Sequence, residues 1–531
     1  MTGTDPLQKP PPGSPLLSVM LLTAVLAGAM GGLFVLRTHI SQPVFYPPPL
    51  VSPETTYFTG PLNPDGTIDY AAALNRIIMD GATPGNNAAI PLLRLIPDRQ
   101  PWEDGEPRLD DKPIHEIFMD DRRAVFGVLG MDAESPRRQL TPFPDFDTYE
   151  AAYEALDRPW KPKEFPVVEA WLDENRWAWP VIDEALARPR LAYPYVNAPE
   201  PLAREVGTLR NPEGRFREVE YLIASDAFLA VHQQRWGRAI ERHRQWMRLA
   251  ELWGQQPTVH AQLIAIGIRA RAYQLSRTLI ADSSVPASVL SNVLETLKAV
   301  PGDQLLLAFR TDSRGRALQQ LEDYRRGHLQ SIRYVKGELI RASIRARGFD
   351  PARAQRIING HFDALPAILP NHDALPEEDS WAGIEAIEAA LPREFEVVGR
   401  SVWFPPDHSE AVGHAITRNA LASVGAALRS HFQAAQNREL AIIAAALRLY
   451  QMKHSRFPET LDVLVPDLLD ALPSDRFRPG GVPLTYRPSQ DRQTYLLYSF
   501  GPNHADDKGT YSLNRGDLTI GFPMPADHGE W

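Results

Sequence analysis

The chain contains no cysteine. That excludes disulfides and thiolate metal sites outright, and it fits an oxidising compartment, where stray thiols are a liability. Three catalytic signatures are missing as well: the Gly-x-Ser-x-Gly elbow of a serine nucleophile, the Gly-Lys-Ser/Thr phosphate loop, and the Gly-x-Gly-x-x-Gly dinucleotide turn. Nor is there an excess of positive charge. Lys and Arg number 56 against 66 Asp and Glu, a net charge of −10 that argues against nucleic acid as a general partner. Long apolar runs are absent with one exception: residues 16–36 carry no charge, and nothing like them recurs.

As a helix that run is about 31 Å long, which matches the hydrocarbon core of a bilayer. A lone span must bond its backbone internally, so it is expected to be a transmembrane helix. Ala27-Gly28-Ala29 has the small-x-small form of a signal-peptide cleavage site, so a cleaved leader is the alternative. The run continues to Leu36, however, and the segment before it holds a single Lys9 among five prolines, which favours a retained signal anchor. Lys9 on one side and Arg37 and His39 on the other leave the positive-inside bias nearly flat. The default is then a single-pass inner-membrane protein with its large domain outside the cytoplasm. The bilayer is one expected partner, and a protein of unknown identity is the other.

At 531 residues, 44% hydrophobic and 23% charged, the chain has ordinary globular composition and enough length for two or three packed units. Its 49 prolines crowd into particular segments. The expected organisation is an N-terminal tail (1–15), the span (16–36), a Pro-rich stalk (37–64), an irregular Pro-rich helical region (65–215), a helical domain (216–360), an acidic Pro-rich connection (361–410), and a long helix with a small α+β module (411–531). Within the first helical region, Tyr70, Leu74, Ile77 and Ile78 have helical spacing, and Val167 to Leu186 carries a broad apolar stripe. Residues 216–300 read as four amphipathic helices with short, antiparallel connections. Residues 312–347 read as one long helix whose outer face is basic, including Arg314, Arg316, Arg325 and Arg326. That face suits an anionic partner, but Glu322, Asp323, Glu338 and the acids of 361–410 can neutralise it internally, which is the favoured reading. A further helix is expected over 410–453, a short one over 461–469, and strands over 483–487, 494–500 and 517–522.

Two resemblances follow from motifs. Leu447-x-x-Tyr450, Arg456-Phe457-Pro458, Leu461, Leu464-Val465-Pro466, Asp475 and Tyr498-Ser499-x-Gly501-Pro502-Asn503 together resemble the C-terminal domain of type II secretion major pseudopilins. In that family a loop among the last strands binds calcium. The resemblance therefore implies a calcium loop at Asn503, Asp506, Asp507 and Asp517. It covers about a fifth of the chain, and nearly 400 residues separate it from the membrane segment, unlike a pilus subunit. Separately, Asp69-Tyr70-x-x-Ala73-Leu74-Asn75, Thr83-Pro84-x-Asn86-Asn87-Ala88, Trp171-Leu172-x-x-Asn175 and Arg188-Pro189-Arg190-x-x-Tyr193-Pro194 resemble segments of uncharacterised bacterial single-pass membrane-anchored helical proteins. That likeness implies no activity.

Other candidate chemistry is thin. Asn63 to Asp69 looks like the middle of an EF-hand loop, but the first and twelfth ligand positions fall on Pro61 and Ala72, so a turn before a helix is expected. Glu410 and His414 can share a helical face near His408, yet a zinc site needs a third ligand, and none is evident; His361 and His372 are loosely spaced. His115-Glu116 lacks the second histidine of a zincin helix. Acid pairs Asp110-Asp111, Asp120-Asp121 and Glu377-Glu378 fit solvent-facing charge better than glycoside hydrolysis. The expectation is a mainly α protein with no identifiable catalytic residues: a membrane-tethered extracytoplasmic scaffold or binding protein associated with secretion or the cell envelope. The alternative is a membrane-anchored hydrolase of envelope polymers.

Overall fold

The computed structural model describes residues 50–97, 108–109, 112–113, 123–132, 138–143, 145–197, 209–210, 216–301, 304–326, 350–368, 408–422, 424–478, 480–510 and 518–522. The expected span 16–36, the first part of the stalk and Asp517 lie outside them. No helix among the described residues is long and apolar enough to cross a membrane.

The protein is mainly helical, with a small antiparallel sheet near its C-terminus. Helices α1 (Tyr70–Ile78) and α2 (Ala89–Leu95) come first, followed by the two-residue ladder of β1 (Arg108–Leu109) with β2 (Lys112–Pro113). Next are α3 (Phe146–Glu154), α4 (Pro166–Glu174) and α5 (Trp179–Ala187), then a second ladder of β3 (Val196–Asn197) with β4 (Leu209–Arg210). The stripe expected over 167–186 is thus two helices, joined by a 3₁₀ turn at Arg176–Ala178. Each begins with proline in its first turn, where the missing N–H costs nothing.

The helical body follows: α6 (Arg217–His232), α7 (Trp236–Gly254), α8 (Val259–Ala281) and α9 (Ala287–Lys298). Thr258 caps α8 by accepting the Ala261 N–H at 3.2 Å, and Pro286 sits immediately ahead of α9. Between α6 and α7 the chain reverses through Gln234 in the left-handed region, φ +53°. Then come α10 (Leu305–Ala308), a π turn over Phe309–Ser313, and α11 (Arg314–Arg325). The π turn inserts one residue, which turns the following side chains by about 100° relative to a regular helix. The expected outer basic face is split, with Arg316 and Arg326 exposed. Arg314 and Arg325 are buried. Arg314 donates to Asp363 at 2.5 Å, and Arg325 and Arg326 both donate to Glu322, so this part of the face is neutralised from within.

Helices α12 (Pro351–Ile368), α13 (His408–Leu421) and α14 (Val424–His454) complete the helical part. Residues 361–368, expected in a loop, continue α12, and the helix expected over 410–453 is broken between α13 and α14. The break lets α13 pack on α12 while α14 turns onto α8 and α9. Tertiary packing of this kind overrides continuous helix propensity. At the crossing of α12 and α13, a Cβ on Gly413 would lie 3.0 Å from the Ala354 carbonyl oxygen, so the glycine is what allows the close approach.

At the C-terminal end the helix expected over 461–469 is one 3₁₀ turn, Leu461–Leu464. Pro466 stops it, because proline has no N–H to give and holds Val465 extended (φ −101°, ψ 134°). Strands β5 (Thr485–Pro488), β6 (Tyr495–Ser499) and β7 (Leu518–Phe522) form an antiparallel sheet with β6 central, Thr485 opposite Tyr498 and Leu497 opposite Ile520. This sheet packs against α14 and α8. One contiguous apolar core runs from Ile68 to Ile520, so helical body and sheet share it. Two buried arginines seal the join: Arg277 on α8 donates to the Thr519 carbonyl at 2.8 Å, and Arg448 on α14, anchored to the Ile280 carbonyl of α8 at 3.0 Å, lies 4.3 Å over the Phe522 ring of β7.

The stalk expectation needs correction for residues 50–64, which are docked on the body. Asn359 on α12 donates to the Glu54 and Thr55 carbonyls, and Arg314 stacks 4.2 Å over the Tyr57 ring. The EF-hand-like stretch is a turn, with Gly66 at φ +82°, Asp65 accepting the Thr67 N–H, and Asp69 capping α1 through the Ala72 N–H.

Candidate functional site

The motif residues converge in space, and their work is structural. Asn75 on α1 accepts the Tyr195 N–H at 2.8 Å and donates to the Tyr195 carbonyl at 2.9 Å. Asn87 repeats this at Ala192, accepting its N–H at 2.9 Å and donating to its carbonyl at 2.8 Å. Asn175 does the same for Thr141, at 2.8 and 3.2 Å, and the Trp171 indole adds a bond to the same carbonyl. A carboxamide offers one donor edge and one acceptor edge, so it pairs with a peptide as a neighbouring strand would. Arg188 donates to the Pro84 and Asn87 carbonyls, and Arg190 to that of Asp80. The segment from Arg188 to Tyr195 is thereby strapped across α1 and α2. Asn87→Ala would leave the buried Ala192 N–H and carbonyl without these partners. We expect it to lower unfolding free energy by about 2 kcal/mol, read as a shift in the urea midpoint at unchanged slope.

The strap continues inward to the π turn. The Tyr195 hydroxyl donates to Asp312 Oδ1 at 2.5 Å, and the Val259 N–H donates to Oδ2 at 2.9 Å. Asp312 is fully buried, and that burial raises its carboxyl above the ordinary range against the pull of Arg316. His260, beside it in the first turn of α8, is pushed down by burial and by Arg316 and Arg217. Carboxyl, imidazole and two guanidinium groups therefore gather from three helices. Both Asp312 oxygens, however, are committed to backbone and tyrosine donors.

The other buried carboxylates are engaged in the same way. Asp226 on α6 receives Arg238, and Arg242 Nε at 2.6 Å; the Arg242 guanidinium in turn lies 3.4 Å over Trp179. Glu220 receives Arg271 Nε at 2.8 Å and Nη2 at 2.5 Å. Glu322 holds Arg325 and Arg326, and Asp323 accepts Gln319 at 2.8 Å. Asp475 accepts the Ser499 hydroxyl at 2.6 Å and the Phe477 and Phe500 N–H groups at 3.0 Å. Pairing within α11 was readable from the sequence; the pairings of Asp226, Glu220 and Asp475 were not, because their partners lie in different elements.

The calcium candidates sit in an exposed turn after β6. Asn503 donates its amide to Asp507 Oδ2 at 2.8 Å, and Asp506 Oδ1 accepts the Lys508 N–H at 2.9 Å and the Tyr498 hydroxyl at 3.1 Å. The Lys508 N–H holds the Asp506 carboxyl below its ordinary value. Asp506 and Asp507 thus attend different partners, and Asp517 is outside the described residues. Among the described residues no group of three or more His, Asp or Glu is arranged to hold a metal ion. Glu410 pairs with Arg353 at 2.6 Å, while His414 meets His361 from α12, Nδ1 to Nε2, at 3.0 Å. That pairing was missed because the two histidines are 53 positions apart. His115, Glu116, His372 and the pairs Asp110-Asp111, Asp120-Asp121 and Glu377-Glu378 lie outside the described residues. Comparison of the chain with protein-family models, curated proteins and solved structures finds no match.

Proposed function

We propose that the protein is a membrane-tethered extracytoplasmic scaffold or binding protein, held beside the bilayer by residues 16–36 and presenting its helical body to a protein partner of the secretion or envelope machinery. The observation that carries the tether is the uncharged 21-residue run, long enough to span and unique in the chain. The absence of cysteine supports the compartment. Support for a scaffold rather than a hydrolase comes from the acids. The buried carboxylates Glu220, Asp226, Asp312, Glu322, Asp323 and Asp475 are each bound to arginine, amide, hydroxyl or backbone donors. Glycoside hydrolysis would instead require an opposed acid pair kept open for substrate.

The tether is tested by washing isolated membranes with alkaline carbonate. The full-length chain is expected to stay in the pellet, and a chain lacking residues 1–36 to be released. Full-length protein in the supernatant would overturn the reading. The scaffold role is tested by cross-linking in intact cells followed by purification through the full-length chain. A stoichiometric envelope protein is the expected product, and recovery of the chain alone would count against the role.

A further inference from the structure

Glu410 and His414 stand one turn apart on α13, a spacing that puts both on one helical face but leaves a metal ion short of ligands. The fold supplies another nitrogen. Gly413 brings α13 against Ala354 and Ile357 of α12, and His361 then faces His414 with Nε2 and Nδ1 3.0 Å apart, ring centroids 5.1 Å apart and ring planes at 71°. Metal–nitrogen bonds of about 2.0–2.1 Å place two neighbouring ligand nitrogens roughly 2.9–3.4 Å apart, so the observed spacing already lies in that range.

We propose that His361 and His414 form an interhelical site for a divalent transition-metal ion of the zinc, nickel or copper class. The ion takes the place of the hydrogen bond between the two rings: the ring that donates it binds as its other tautomer, its proton moving by way of solvent to the far ring nitrogen, and water completes the coordination. Both rings are half-buried at the edge of the α12–α13 contact, so an ion reaches them from solvent. The Glu410 carboxylate adds negative charge beside His414. Glu410 is held by Arg353, so it contributes through its field rather than as a preassembled ligand. An oxygen-preferring ion such as calcium or magnesium finds no such match in a nitrogen pair. Because its two ligands come from different helices, a bound ion ties α12 to α13.

The test uses the full-length protein in detergent, with Zn²⁺ as the probe. Equilibrium dialysis is expected to show one more zinc bound to the wild type than to His361→Gln or to His414→Gln. Zinc in excess is expected to raise the wild-type melting midpoint by roughly 2–4 °C over EDTA and to leave both variants unmoved. Magnesium at the same concentration serves as the control for ionic strength. Equal zinc uptake by wild type and variants would assign the binding to other histidines and overturn the proposal. Failure of the wild type to take up zinc would overturn it whatever the variants do.

Discussion

Asp226→Ala is expected to lower the unfolding free energy by about 3–5 kcal/mol, because it strands a buried guanidinium. Asp226 is 1% exposed and faces two guanidinium groups, Arg238 and Arg242. Arg242 is itself buried, stacked on Trp179, and linked through Gln245 to Asp183. Once the carboxylate is gone, Arg242 cannot reach water without abandoning that stack. A charge is therefore left in the core with only the exposed Glu241 carboxylate, 3.5 Å from Nη1, set against it, which costs more than the pair was worth. Arg238 behaves differently. Its side chain is 38% exposed, so in Arg238→Ala the carboxylate keeps Arg242, and a loss of about 1 kcal/mol is expected. Urea unfolding of the purified full-length chain checks both. Comparable losses in the two variants would show that Arg242 does not depend on Asp226.

Acidification is expected to destabilise the protein through His243, by about 3 kcal/mol between neutral pH and pH 4. His243 is completely buried on α7, and burial, aided by the neighbouring Arg244, depresses its pKa from 6.5 to about 4. Its Nε2 meets Ser276 Oγ at 2.8 Å, and that hydroxyl donates onward to the Ala272 carbonyl. The ring proton therefore sits on Nε2, donated to the serine. Nδ1 has no hydrogen-bond partner among the described residues, so a second proton would arrive where no acceptor waits. The folded pKa lies below the unfolded one, so the unfolded chain takes up the proton first. The contribution is complete above about pH 6.5 and is lost as pH falls towards 4. Asp312, Glu439 and Asp157 are raised by burial and act in the opposite sense, so the total profile mixes several groups. The His243→Leu variant separates them. Its stability should fall less steeply than that of the wild type over this interval, and parallel profiles would refute the assignment.

Much of the architecture was legible in the chain. Apolar spacing announced α6 to α9, and their breaks fall where polar or proline-containing turns interrupt it. Strands β5 to β7 were readable within about two residues, from aromatic and β-branched runs bounded by turns. Periodicity could not reveal the π turn at Phe309–Ser313, since one inserted residue changes the phase without changing composition. It was equally silent on Arg314, which looks like surface charge but is held by Asp363 and the ring of Tyr57, both remote in sequence. The asparagines of the motifs were visible as residues worth noting, though not as clamps. Asn75 and Tyr195 are 120 positions apart, and nothing local says that one will bracket the other.

By itself the sequence determined which chemistry is excluded and which local forms are available: no thiols, one uncharged run of membrane length, helices by their 3.6-residue period and strands by their alternation. These are properties of a residue and its near neighbours. The tertiary structure alone decided which charges are buried, which carboxylates are spent on arginine and backbone, and which histidines meet across α12 and α13. Burial and polar pairing depend on what the chain brings back from far along its length, and a desolvated charge is tolerated only where that returning segment carries its partner.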